Sequence, residues 1–176
     1  SKDEEFVEMF IDEAKIVVEL SHANICQVTD LGKIGDNYFI AMEFINGKDL
    51  RAILKKAFTA KTPLSIPQAL YVAIEILKGL DYAHTKVDTI TEKPFNLIHR
   101  DISPQNIMIS YHGEVKIVDF GIAKTESKLH RTQAGVLKGK FGYMSPEQAA
   151  GLELDLRTDV FSAGIILYEM LTGRRL

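Results

Sequence analysis

Two short acidic motifs separated by one hairpin pattern constrain the fold of this chain more than any other feature. His99-Arg100-Asp101-Ile102-Ser103-Pro104-Gln105-Asn106 comes first, and Asp119-Phe120-Gly121 second. Between them lie Ile107-Met108-Ile109, a turn at Tyr111-His112-Gly113-Glu114, and Val115-Lys116-Ile117-Val118, which ends directly at Asp119. Turn formers between two β-rich runs predict a short antiparallel hairpin. Either tripeptide, His-Arg-Asp or Asp-Phe-Gly, would arise by chance in roughly 0.02 of chains this long, so one alone says little and the ordered pair says much. The pair brings two carboxylates and a carboxamide, hard oxygen donors of the kind that hold a triphosphate and its metal ions.

The rest of the chain supplies a frame of mixed type. Phe6, Phe10, Ala14, Val17 and Val18 recur at helical spacing, with acidic residues on the other faces, and predict an amphipathic helix ending near Ser21-His22. Val28 to Ile34, a Gly35-Asp36-Asn37 turn and Tyr38 to Phe44 predict a hairpin, with Asn46-Gly47 closing its second strand. Pro67 marks the start of a long helix whose apolar face reads Leu70, Ala73, Ile74, Leu77, Leu80 and His84. A polar loop from Thr85 to Asn96 precedes the first acidic motif. After Asp119 comes a polar, glycine-containing segment, then a short helix over Pro146 to Ala150 and a buried helix over Val160 to Leu171.

Composition narrows the functional classes. With 176 residues, 46% of them hydrophobic and 26% charged, the chain is long enough to bury a core. A net charge of −3 provides no basic field, so nucleic acid is not indicated as a partner. Cys26 is the only cysteine, which excludes an internal disulfide and a cysteine-built zinc site and suits a reducing, cytoplasmic setting. The most apolar stretch, Ala163 to Leu171, is too short to span a bilayer and carries Glu169, so any membrane anchor is expected outside these residues. The charged opening at Ser1 and the end at Arg174-Arg175-Leu176 read as cuts through a longer protein.

Order and motifs together resemble the eukaryotic-like protein kinase domain, most closely its bacterial serine/threonine members, from Phe6 to Leu176. The resemblance implies an α+β, bilobal fold in truncated form: residues 1–45 a remnant of the N-lobe with the hinge, residues 46–176 the C-lobe up to the buried helix. It also implies ATP and Mg²⁺ as cofactors, and a protein substrate whose serine or threonine hydroxyl receives the phosphoryl group. Asp101 corresponds to the catalytic base, orienting the acceptor hydroxyl more than abstracting its proton. Asn106 and Asp119 correspond to the magnesium ligands. Gly121 would allow the sharp turn after Asp119. His99 and Phe120, with Val17 and Val28, match the family's internal hydrophobic column. In Met42-Glu43-Phe44-Ile45, the resemblance makes Glu43 and Ile45 the hinge residues that show backbone groups to adenine, with Met42 at the back of the pocket. Asp49 would reach the ribose, and Met108 would pack beneath adenine. Glu13 matches the helix glutamate that pairs with a phosphate-binding lysine, which with its Gly-rich loop would lie upstream of Ser1. Asp159 matches the aspartate that holds the catalytic loop's backbone; a buried acid needs such donors.

Residues 119–147 resemble an activation segment closing at Ser145-Pro146-Glu147. Thr132 is the expected phosphorylation site, where a dianionic phosphate would gather Arg100 and Lys124, with a second copy of the chain as the partner in autophosphorylation. Glu147 would pair with an arginine beyond Leu176. Three departures stand out. Ser103 replaces the usual lysine after the catalytic Asp, Lys140 replaces the usual threonine near the segment's end, and the stretch between His84 and His99 is unusually long. The first two suggest a swap in which the Lys140 ammonium reaches the transferring phosphate and the Ser103 hydroxyl takes up the loop contact. Two other readings compete with an enzyme acting on proteins: a pseudokinase or scaffold, and a small-molecule phosphotransferase of kinase-like fold. Intact Asp101, Asn106 and Asp119 favour an enzyme, and the long segment before Glu147 favours a protein substrate. Residues 1–176 alone are expected to be inactive, since the triphosphate would lack its roof.

Overall fold

The computed structural model describes residues 17–35, 37–88, 91–120 and 141–175. The first helix lies outside them except for its final turn at Val17 and Val18, where the Leu20 N–H donates to the Val17 carbonyl. Strands β1 (Val28–Ile34) and β2 (Asn37–Met42) form the expected antiparallel hairpin, with an irregularity between Val28 and Asp30. The second strand ends at Met42 and not at Phe44, because from Glu43 onward the chain leaves β1 and crosses to a second sheet. That sheet is antiparallel and ordered β3-β4-β5, from β3 (Gly47–Asp49), β4 (Ile107–Ser110) and β5 (Val115–Ile117).

Asn46-Gly47 is therefore a strand start and not a closing turn. A Cβ at Gly47 would lie 2.0 Å from the Ile109 carbonyl oxygen, so the glycine serves close backbone approach to β4. Directly after β3, the Asp49 carboxylate accepts from the Ala52 N–H and caps helix α1 (Leu50–Ala60), which closes with Lys61 in the left-handed region. This helix is not among the elements expected from the sequence. Its apolar residues Leu50, Ile53, Leu54, Ala57 and Phe58 do run at helical spacing in the sequence, although only Leu50 of the helix is fully buried.

Helix α2 (Ile66–Thr85) opens with a Ser65/Gln68 capping box and Pro67 in its first turn, as its sequence requires. Its buried face meets the expected one at Ala73, Leu80 and the His84 side chain, and departs from it elsewhere. Ala69, Val72, Ala73, Ile76, Gly79, Leu80 and Ala83 face the core, while Leu70, Ile74 and Leu77 are exposed. Small residues let the helix press against its neighbours: a Cβ at Gly79 would meet the Asn24 carbonyl and the Ile117 side chain at 3.0 Å. The expected stripe is therefore rotated toward the flank that carries Leu70, Ile74 and Leu77.

Helix α3 (Pro146–Ala149) has its own capping box, Ser145 with Gln148. Helix α4 (Arg157–Thr172) packs against α2 and ends on Gly173 in the left-handed region. It is buried on one side only. Ser162, Ala163, Ile166 and Met170 face inward, while Val160, Phe161, Tyr168 and Leu171 are exposed. The core joining these elements is built from Leu20, Ile25, Leu50, Ile76, Leu80, Ile102, Ile107, Ile117, Ile166 and Met170, all fully buried. In the long stretch before His99, Val87 pairs with Pro94, and the Phe95 N–H donates to the Lys86 carbonyl. No helix of the described residues is long and apolar enough to cross a membrane.

Candidate active site

Asp159, fully buried at the start of α4, organises the loop that carries the first motif. Its Oδ2 accepts from the His99 N–H and its Oδ1 from the Arg100 N–H, both at 2.8 Å. These two bonds hold Arg100 at φ 65°, a left-handed conformation costly for a non-glycine residue and tolerated where surrounding contacts over-determine it. The next residue, Asp101, donates its N–H to His99 Nδ1 at 3.2 Å.

The hairpin β4/β5 then returns the chain to this loop. Val118 N–H donates to the Asn106 carbonyl at 2.9 Å, and the Val118 carbonyl lies 3.0 Å from His99 Nε2. Asp119 follows immediately, itself left-handed at φ 57° and exposed, while Phe120 turns inward with its ring edge on the His99 imidazole, centroids 4.7 Å apart. Asn106 Nδ2 donates to the Asp101 carbonyl at 2.8 Å and to Asp101 Oδ2 at 3.1 Å. That orientation leaves the carboxamide Oδ1 outside both bonds, an acceptor suited to a cation. Asp101, Asn106 and Asp119 are thus stitched into one site by backbone and side-chain bonds. A carboxamide and a carboxylate fit magnesium, which keeps several waters and takes phosphate oxygens; among the described residues no cluster of three or more His, Cys, Asp or Glu offers a fuller protein cage.

The remaining predicted positions fall around this site. Val17 and Val28 are buried, as are His99 and Phe120. Met42 ends β2 and is 41% exposed. The Glu43 N–H is taken by the Gln27 carbonyl at 2.9 Å, so of its backbone groups only the carbonyl is left for a ligand, with Cys26 Sγ 3.9 Å away. Its carboxylate accepts from Lys116 Nζ at 2.7 Å and from the Gln27 N–H at 2.8 Å. Burial pushes the Glu43 carboxyl up, but those hydrogen bonds outweigh it and leave it below the usual carboxylate range. Ile45 lies half-buried in the crossover. Asp49 caps α1 through Oδ1 and pairs in register with Met108, which lies opposite Lys116 on its other side. The Ser103 hydroxyl is buried with no hydrogen-bond partner among the described residues. Glu13, Lys124, Thr132 and Lys140 lie outside the described residues.

Several contributing residues escaped the sequence reading. His84, assigned there to an apolar face, places Nε2 2.8 Å from Asp159 Oδ2. Gln148 Nε2 donates to the Arg100 carbonyl at 2.8 Å, tying α3 to the loop that holds Asp101. Glu147 accepts from Thr158 Oγ1 at 2.8 Å, and hydrogen bonds, first from its own N–H, hold its carboxyl below the ordinary range. Arg51, Tyr143 and Glu169 form a further cluster beneath the segment that leads into α3. A capping box at Ser145 was visible in the letters, but no sequence signal marked these long-range partners.

A two-stranded antiparallel hairpin joined by one extended crossover to a mostly helical unit is the architecture of a truncated kinase-type fold. Compared with known families, residues 1–176 match the protein kinase domain. The chain is 46% identical, over 97% of its own length and 26% of the relative's, to tyrosine-protein kinase MasK of Myxococcus xanthus. It is 37% identical to serine/threonine-protein kinase PrkC of Bacillus subtilis, over 99% of the chain and 25% of that protein. Among solved structures, a point mutant of the PknI kinase domain of Mycobacterium tuberculosis superposes with a TM-score of 0.72 at 26% identity, over 97% of this chain and 59% of that one. The chain belongs to the protein kinase domain family, of bacterial eukaryotic-like type, and spans about a quarter of the length of the curated relatives it matches.

Proposed function

We propose that this chain forms part of a catalytic domain that transfers the γ-phosphoryl group of ATP to a serine or threonine hydroxyl of a protein. The observation that carries this reading is the stitching of Asp101, Asn106 and Asp119 through the Val118-to-Asn106 and Asn106-to-Asp101 bonds. In it, Asp101 orients the acceptor hydroxyl and takes its proton late, the transition state being loose. Asn106 Oδ1 and the Asp119 carboxylate hold the magnesium, which when bound offsets the charge of the phosphates. The crossover at Glu43 to Ile45 receives adenine, Met42 and Met108 line its pocket, and Asp49 reaches the ribose with the oxygen not used in capping α1. The two lobes divide at residue 45, and the domain works in the cytoplasm.

The buried Ser103 hydroxyl, lacking a described partner, supports the swap with Lys140, since such a group costs stability unless something satisfies it. Thr132 is the site where a second copy would phosphorylate the activation segment, with Glu13 pairing the phosphate-binding lysine. A second reading, a tyrosine acceptor, is favoured by the name of one relative, tyrosine-protein kinase MasK, and by Ser103 in place of lysine.

Incubation of the full-length protein with γ-labelled ATP and magnesium, followed by phosphoamino-acid analysis, tests the proposal. Phosphoserine or phosphothreonine, lost in both Asp101→Asn and Asp119→Asn, is the expected result. Phosphotyrosine alone moves the assignment to the second reading, and no transfer to any protein, with nucleotide still bound, makes the chain a scaffold.

A further inference from the structure

Lys116 does something that none of the roles above requires. It sits on β5, whose next residues lead directly to Asp119, yet its ammonium leaves that sheet to meet Glu43 in the crossover at 2.7 Å. Only 13% of the Lys116 side chain and 31% of the Glu43 side chain are exposed, so the pair is partly shielded from water. Glu43 is in turn fastened to the end of the β1 side by two bonds, its N–H to the Gln27 carbonyl and its carboxylate from the Gln27 N–H. β5 is fastened to the same segment from below: Cys26 N–H donates to the Ile117 carbonyl and Ile117 N–H to the Asn24 carbonyl, both at 2.8 Å. The ion pair closes a ring running from residues 24–27 through Glu43 and Lys116 to Ile117.

We propose that Lys116 is a positioning residue for nucleotide binding: through Glu43 it fixes the crossover that faces adenine relative to the strand that delivers Asp119. This rests on the nucleotide-binding reading of that crossover. Without the ammonium, the Glu43 carboxylate keeps only the Gln27 N–H, and the crossover carbonyls gain freedom that nucleotide must then remove on binding. The effect falls on nucleotide affinity and spares the phosphoryl-transfer step, because neither Lys116 nor the Glu43 carboxylate belongs to the Asp101, Asn106 and Asp119 set.

The test uses the full-length protein with Lys116→Met, Lys116→Arg, Glu43→Gln and the Lys116→Met/Glu43→Gln double variant. Magnesium-ATP affinity is measured by calorimetry, and exchange of the Glu43 amide hydrogen by mass spectrometry. Lys116→Met is expected to weaken nucleotide binding about five-fold, with kcat within about two-fold, a size typical of a partly shielded ion pair. Lys116→Arg should restore affinity, and the double variant should be no worse than Lys116→Met, since each single change breaks the same contact. The Glu43 amide should exchange faster in Lys116→Met whether or not nucleotide binds, so a wild-type protein that failed to bind ATP would sink the functional reading and leave the exchange result to judge the ring. Unchanged exchange, additive losses in the double variant, or a fall confined to kcat overturns the proposal.

Discussion

His84 and Asp159, 75 residues apart in sequence, meet at 2.8 Å, and through that aspartate the end of α2 is joined to the backbone of the loop carrying Asp101. A fully buried carboxylate is tolerable only because three donors converge on it. Asp159→Asn keeps the shape and replaces one acceptor oxygen by an NH₂ that faces an N–H or the imidazole. We expect it to cost about 3 kcal/mol, read as a lower urea midpoint with an unchanged slope. His84→Leu, which removes one donor of the three and keeps an apolar side chain there, should cost less. Equal losses for the two would mean that the backbone bonds to His99 and Arg100 carry little.

Gly47 and Gly164 should respond with opposite sign to the same substitution. A Cβ at Gly47 runs into backbone, 2.0 Å from the Ile109 oxygen and 2.6 Å from the Ser110 Cα, so β3 would have to part from β4. Gly47→Ala is expected to destabilise by about 2 kcal/mol, in the range of overpacking. At Gly164, inside α4, an added Cβ meets nothing within 4 Å, and Gly164→Ala should stabilise by up to about 1 kcal/mol through helix propensity. Chemical denaturation of both variants checks the pair.

How far the fold was legible follows from which interactions are local. The β1/β2 hairpin, the β4/β5 hairpin, the Pro67 start of α2 and the Pro146 start of α3 were all legible, because turn formers and caps act within a few residues of where they are written. Helix α1 was written in local signals as well, the Asp49 cap and the stripe Leu50, Ile53, Leu54, Ala57 and Phe58, but the family resemblance drew Asp49 to the ribose instead. The inward face of α2 was legible at Ala73 and Leu80 and misjudged at Leu70, Ile74 and Leu77, because close packing there also takes Ala69, Gly79 and Ala83. At the candidate site, motif spacing singled out Asp101, Asn106 and Asp119, and the hairpin pattern ending at Val118 links the two motifs, but His84 and Gln148, which bond to Asp159 and to the Arg100 carbonyl, come from distant segments that no local pattern connects. Glu13, Thr132 and Lys140 fall outside the described residues.

Tyr143 should report on alkaline stability. Its hydroxyl donates to the buried Glu169 carboxylate, which also pairs with Arg51 at 2.9 Å, while Arg51 donates to the Tyr143 oxygen at 3.0 Å. Burial first, then the hydrogen bond to Glu169, drives the phenol well above its ordinary value. Because the folded value lies above the unfolded one, this contribution is complete below about pH 10 and is lost as pH rises beyond it. Tyr143→Phe should be less stable by about 1 kcal/mol at pH 8, and its stability should fall less steeply between about pH 10 and 11 than that of the wild type. Parallel pH profiles from denaturant titrations would show that Tyr143 ionises freely in the folded state.

Cys26 offers a clock for opening of the same region. The thiol is buried beside the Glu43 carbonyl, and burial, then the negative charge of Glu43, pushes its pKa up to about 11. Only about 0.001 of it would be thiolate at pH 8, the form that reacts. An ordinary thiol is roughly a quarter ionised at that pH, so labelling by a disulfide reagent should be at least about a hundred-fold slower in the folded protein than in urea, and slower still because reaction must wait for the Cys26 segment to part from Ile117. If that parting is global unfolding, Asp159→Asn should speed labelling by the factor its stability loss dictates. If it is local, Asp159→Asn should leave the rate unchanged while Lys116→Met, which loosens the adjoining ring, raises it. Labelling of the native wild type at the rate of a free thiol would show Cys26 to be accessible and would contradict both.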